Sequence, residues 1–267
     1  MSAIPADIIH TTHVAIPRIP LTRVTAVELR KMFDTRSGFW LIASIAISAV
    51  LATIGVIVFA PEDQLTYSTF ATAIRFPVVV ILPLIAILAV TGEWTQRTGL
   101  TTFTLVPHRA RIIAAKATAS VVIAIAAMVV TFAVGALGNL VAGAVTGAPM
   151  VWDVTATQVL YYVLGMILSL LVGFMLGVLI RSSTGALVAY FVYTFLVPTL
   201  FGLLATYQQW FHDLQPWVDM QFAQSGLFIF ERSLTGEQWA QIGVSSTLWL
   251  LIPLLLGLRF VMRAEVK

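Results

Sequence analysis

Six runs of apolar residues, each long enough to cross a bilayer, decide what this chain can fold into. The hydrocarbon core of a membrane is about 30 Å thick, and a helix rising about 1.5 Å per residue needs roughly 17 to 25 residues to cross it. The runs are Phe39 to Ala60, Phe76 to Gly92 (starting up to a turn earlier), Ile113 to Leu137, Gln158 to Ile180, Ala186 to Tyr207 and Ile242 to Leu258. Their middles carry no charge except Lys116, one turn into the third, whose ammonium is expected to snorkel to the interface. Composition points the same way. Only 10% of the 267 residues are charged and 59% are hydrophobic, whereas a soluble domain carries about 25% charge. Too few charges remain to cover a water-facing surface, and the aromatic and β-branched content excludes a disordered chain. The expected fold is an all-α polytopic membrane protein with six transmembrane helices in residues 39–262. Residues 1–38 hold no apolar stretch of signal-peptide kind, so the first span is expected to be retained.

An even number of spans puts both ends on one side, and the basic residues choose which. With the ends inside, the inner segments hold Arg18, Arg23, Arg30, Lys31, Arg36, Arg97, Arg109, Arg111, Lys116, Arg181, Arg259, Arg263 and Lys267. Only Arg75 and Arg232 fall outside, together with Glu62, Asp63, Asp153, Asp213, Asp219, Glu231 and Glu237. Bases set orientation, so both ends are expected to be cytoplasmic, with tails at residues 1–20 and 263–267.

Three segments are neither spans nor plain loops. Residues 21–38 begin with an amphipathic stretch, Leu21 to Arg36, in which Ala26, Leu29, Met32 and Phe33 share one helical face and Arg23, Arg30 and Asp34 the other. Either a helix lying in the inner interface or an irregular basic tail held by anionic lipid fits this pattern. Gly92 to Lys116 links spans two and three on the inner side, mixing charge, threonine and aromatics. Glu93 to Leu105 is compatible with a short helix that Pro107 would end, and a solvated loop is the alternative. Gln208 to Gln241, on the outer side, is too interrupted to span and too aromatic to float free, with Trp210, Phe211, Trp217, Phe222, Phe228 and Phe230 in it. A re-entrant or interfacial helix pair would hide those rings, and an ordinary loop with its aromatics in the interface belt is the alternative.

Catalytic chemistry is missing. The chain has no cysteine, and His10, His13, His108 and His212 all lie outside the spans, so no catalytic residue, metal site or cofactor is expected. No span carries an acid at mid-depth for a proton or sodium relay. No phosphate-cradling G-x-x-x-x-G-K-[ST] loop occurs, so nucleotide energy could reach this chain only through another protein. Nothing in the distribution of the +3 net charge points to nucleic acid. In the fourth span, Gly173 and Gly177 suggest close helix packing.

One stretch carries a family resemblance. The pattern of Glu93, Trp94, Arg97, Thr98, Thr102, Pro107, Arg109, Arg111, Ala115 and Lys116 resembles the signature of ABC-2 permeases, the membrane subunits of type 2 ABC exporters, and in particular actinobacterial ones. The plan over about residues 20 to 265 is similar too: a basic in-plane helix, six spans and an aromatic outer insert before the last. The resemblance implies two permeases, identical or paralogous, assembled in the cytoplasmic membrane with two separate ATPase subunits that bind ATP and magnesium. It implies a cytoplasmic coupling helix between spans two and three, with Glu93, Trp94, Arg97, Thr98, Leu100, Thr101 and Phe103 against the ATPase. The in-plane helix, through Arg23, Arg30 and Asp34, would be the second contact, and Gly99 would weaken or kink the coupling helix. The outer insert would be short re-entrant helices capping a pathway at the permease–permease interface, which spans two and five would line with Phe76, Pro77, Pro83, Tyr190, Tyr193, Pro198 and Phe201. Such an uncharged aromatic wall suits a hydrophobic or amphiphilic cargo: a drug, antibiotic, peptide or lipid-like molecule. Two alternatives stay open, a stand-alone carrier or channel with no nucleotide partner and a membrane scaffold that transports nothing.

Overall fold

A computed structural model describes residues 19–95, 109–147, 149–230 and 233–263, with Glu93, Trp94, Thr95 and Arg109 described by their backbone alone. The helices are α1 (Leu21–Asp34), α2 (Arg36–Phe59), α3 (Tyr67–Thr95), α4 (Arg109–Thr146), α5 (Ala156–Ile180), α6 (Ser183–Tyr207), α7 (Gln209–Val218), α8 (Met220–Gln224) and α9 (Gly236–Arg263). Among the described residues the only β contact is an isolated bridge between Thr66 and Val151. Among the described residues six helices, α2 to α6 and α9, are long and apolar enough to cross a membrane, the architecture of an all-α polytopic membrane protein.

Several spans outrun their apolar runs. α3 begins at Tyr67 rather than near Phe76, α4 continues past Leu137 to Thr146, and α9 extends from Gly236 to Arg263 beyond both ends of Ile242 to Leu258. Hydropathy registers only the apolar part of a helix, and the polar end turns here are held by caps. Asp153 takes the amide of Ser68 at 2.8 Å and its hydroxyl at 2.5 Å, satisfying the first turn of α3. Burial would raise the Asp153 pKa, but the hydrogen bonds from Ser68 outweigh it and hold the carboxyl below its ordinary range. Capping boxes at Thr155 with Gln158 and at Thr235 with Gln238 start α5 and α9. As a consequence Arg75 lies two turns inside α3, not in a loop, with its guanidinium 4.7 Å from the ring centre of Phe228.

The core is a seam between α3 and α5. Ile74, Val78, Leu82, Ala86 and Val90 repeat every four residues on α3, and Tyr162, Met166, Leu170, Phe174 and Val178 do so on α5; all ten are buried. Two such ridges interdigitate only when the backbones come close. Gly173 provides the approach: a Cβ there would sit 2.5 Å from the Pro83 carbonyl oxygen and 2.7 Å from its Cα. Gly177 does the same against Val90 and Ile87, so the close packing expected from this glycine pair is present.

Three prolines inside the spanning helices are handled in two ways. Pro83 has no N–H for the Val79 carbonyl one turn back, and the Tyr190 hydroxyl of α6 donates to that oxygen instead at 3.0 Å. Pro198 in α6 and Pro253 in α9 each follow a π turn, Val192–Leu196 and Thr247–Leu251, where Val197 and Ile252 bond back to Val192 and Thr247. Widening the helix there relieves the clash that a proline ring makes with the carbonyl four residues earlier.

Candidate functional site

Two places bring together the residues that the sequence singles out. The first is the end of the bundle where α3 stops and α4 starts. α1 packs along the first turns of α4 and against the start of α2. The turn from α1 into α2 is tight enough that a Cβ on Gly38 would fall on the Met32 carbonyl oxygen, so glycine is required there. α1 presents Val24, Glu28 and Met32 inward, with Leu29 half-buried. Of the apolar face read from periodicity, Met32 and Leu29 turn toward the bundle while Ala26 and Phe33 are exposed.

Glu28 faces inward toward Lys116. Its ammonium does not snorkel; it is 4% exposed and donates to Glu28 Oε2 at 2.6 Å and to the Ala89 carbonyl of α3 at 3.0 Å. Lys31 donates to the other Glu28 oxygen at 2.7 Å. A lone buried ammonium is costly, and the cost falls when a carboxylate comes in with it. Glu28 therefore lies on the inner face of α1. Burial pushes the Glu28 pKa up, but the Lys116 charge and the hydrogen bonds from both lysines more than offset this and hold the carboxyl below its ordinary range.

Arg23, Arg30 and Asp34 stand exposed on the opposite side of α1, the last two paired at 3.3 Å. They are open to contact, as a docking face requires. Glu93 and Trp94 continue the helical backbone of α3. Arg97, Thr98, Leu100, Thr101 and Phe103, together with Gly99 and Pro107, lie outside the described residues.

The second place is the middle of α6 and α9. Tyr193 is ten residues from Ser183 and fourteen from Tyr207, about 15 and 21 Å along the helix. Its ring lies 5.5 Å from that of Trp249, so the two π turns face each other at one level. The link between α7 and α8 reaches this level. Gln221 donates to the Tyr193 carbonyl at 2.8 Å, and the Trp249 indole donates to the Val218 carbonyl at 2.6 Å. Asp219, placed by the sequence in an outer loop, is buried here as the cap of α8, taking the amides of Gln221 and Phe222 and the Gln215 side chain.

The seven residues named as a lining do not form one surface within the chain. Tyr193 and Phe201 share the aromatic cluster with Trp249 and Phe211, and Pro198 lies half-buried between them on α6. Tyr190 and Pro83 are buried between α6, α3 and α5. Phe76 is 70% exposed on α3, with Pro77 half-buried beside it.

Glu28, Gln221 and Trp249 were not singled out from the sequence. A signal for Glu28 exists: a lysine inside an apolar span needs a carboxylate, and Glu28 and Asp34 are the acids of the adjacent α1. Among the described residues no three His, Asp or Glu side chains gather as metal ligands would. Neither a protein-family model nor a curated protein matches the sequence.

Proposed function

We propose that the chain is the permease subunit of an ATP-binding-cassette exporter, working in the cytoplasmic membrane with a second permease and two separate ATPase subunits. The observation that carries this reading is what surrounds the two ends of the motif-bearing segment. The described part of α3 stops at Thr95 and α4 starts at Arg109, and α1 packs on α4 with Arg23, Arg30 and Asp34 facing outward. In this reading that end is cytoplasmic, α1 lies in the inner interface, and Glu93 to Phe103 forms the coupling helix. ATP and magnesium belong to the ATPase, and this chain hydrolyses nothing.

α7 and α8 are then a re-entrant pair that enters from the outer side and turns near mid-membrane. This fits the hydrogen bonds from Gln221 in the first turn of α8 to the Tyr193 carbonyl and from Trp249 to the Val218 carbonyl, because backbone at that depth needs protein partners. Only 6% of the most apolar window of α6 is buried in the chain, against 50% for α5. A second permease against α6 would close a pathway between the two copies, walled by Tyr193, Phe201 and Phe76. An aromatic wall of this kind accepts a hydrophobic or amphiphilic cargo. A stand-alone carrier finds less support, since both Asp219 oxygens are engaged, Oδ1 in capping α8 and Oδ2 by the Gln215 side chain.

Truncating Arg97 and Thr98 tests the assignment. The variants should insert normally yet lose copurifying ATPase or permease-stimulated hydrolysis. Survival of both through multiple substitutions in Glu93 to Phe103 would refute it.

A further inference from the structure

We propose that Lys116 is a positioning residue that joins α1 to both roots of the 96–108 segment, so that a displacement of that segment moves α1 with it. What the motion accomplishes rests on the transporter reading; the joint itself rests on geometry. An ammonium has three N–H groups, and here one reaches Glu28 on α1 and another reaches the Ala89 carbonyl on α3. Ala89 lies six residues before Thr95, where the described part of α3 stops, and Lys116 lies seven residues after Arg109, where α4 starts. One charged group thus ties together the helix that enters the segment, the helix that leaves it and α1, which packs on the latter.

The rest of the contact does less. Val24 and Met32 bury apolar side chains, a packing without direction, and the Arg111 guanidinium donates to the Ile19 carbonyl at 2.6 Å, an exposed bond that ties the start of α1 to α4 alone and does not reach α3. A charge-assisted hydrogen bond at 2.6 Å between two side chains each 5% exposed fixes both distance and direction. Lys31, on the outer side of Glu28, holds the second carboxylate oxygen and keeps the acid oriented toward Lys116. In the transporter, α1 and the coupling segment would then respond to the ATPase as one body rather than as two independent contacts.

The chain has no cysteine, so spin labels can be placed directly at Ala26→Cys on α1 and Ala110→Cys on α4, both exposed positions. In proteoliposomes of the permease alone, pulsed electron paramagnetic resonance should give one narrow distance. Lys116→Met should lose it, leaving Glu28 paired with Lys31 and therefore not stranded. Glu28→Gln, milder because it keeps a hydrogen-bonding side chain, should broaden the distance in the same sense. Retention of the narrow distance in both K116M and E28Q overturns the joint. In complex with the ATPase, K116M should copurify at wild-type yield while stimulated hydrolysis falls about tenfold. Unchanged hydrolysis would refute the mechanical role. Should the wild-type permease bring down no ATPase, the transporter reading fails, and the distance measurement still decides the joint.

Discussion

Replacing Tyr190 by Phe removes one oxygen atom and exposes a specific debt of α3. Pro83 has no amide hydrogen, so the Val79 carbonyl is served by the Tyr190 hydroxyl at 3.0 Å. Hydrogen bonds between helices in membranes average about 0.6 kcal/mol, because the groups left behind usually find other partners. Val79 has already lost its in-helix partner, so the variant leaves a buried acceptor bare, at about 1 to 3 kcal/mol. The comparison that isolates this effect is a double-mutant cycle with Pro83→Ala, which returns the missing N–H. In that background Tyr190→Phe should cost about 0.6 kcal/mol or less. Equilibrium unfolding in mixed detergent micelles, followed by the fluorescence of the seven tryptophans, reads both values. An equal cost in the two backgrounds would show that the hydroxyl does not replace the proline's missing donor, and the reasoning would fall.

Further outcomes follow from the same contacts. Gly173→Ala should destabilise by about 1 to 3 kcal/mol, because its Cβ meets the backbone of Pro83 and α3 must move off α5. Gly243→Ala, with nothing within 4 Å of its Cβ, should be neutral or stabilising by up to about 1 kcal/mol; matching results in the same unfolding assay would refute the α3–α5 seam. Glu28 has a folded pKa below its ordinary 4.5, so its contribution is complete above that value and is lost as pH falls through the lowered one. Stability measured downward from neutral pH should therefore drop more steeply below 4.5 in the wild type than in Glu28→Gln, and parallel curves would contradict the buried pair. Gln221→Leu bares the Tyr193 carbonyl and should speed hydrogen exchange in α7 and α8, while α2 and α4 remain protected; unchanged exchange in the insert would show that Gln221 does not hold it.

The spans were legible because a bilayer demands length and low charge, and both stand plainly in the sequence. Their inner faces were not. Val78 faces α5 and Phe76 is exposed, yet both are apolar, so no periodicity separates them. In water the outer face of a helix would be polar and the buried stripe would stand out. Ends were misplaced for a related reason: Ser68 and Asn139 lie in helical turns that hydropathy scores as loop. The helical segment at Leu21–Asp34 was legible, while its inner face holds a long-range pair, Glu28 with Lys116, 88 residues apart. Asp219 was read as an outer acid because capping by Gln221 and Phe222 depends on a fold-back that local sequence does not announce. At the candidate site, the exposed face of Arg23, Arg30 and Asp34 followed from helical spacing alone.

The central claim is a partnership, and mass determination of the intact particle addresses it most directly. The chain, expressed with its neighbouring genes, extracted in gentle detergent and weighed by native mass spectrometry, should appear with two permease copies or paralogues and two ATPase subunits. A particle made of this 29.0 kDa chain alone, under conditions where it stays folded and carries cargo across a vesicle membrane, would contradict the account.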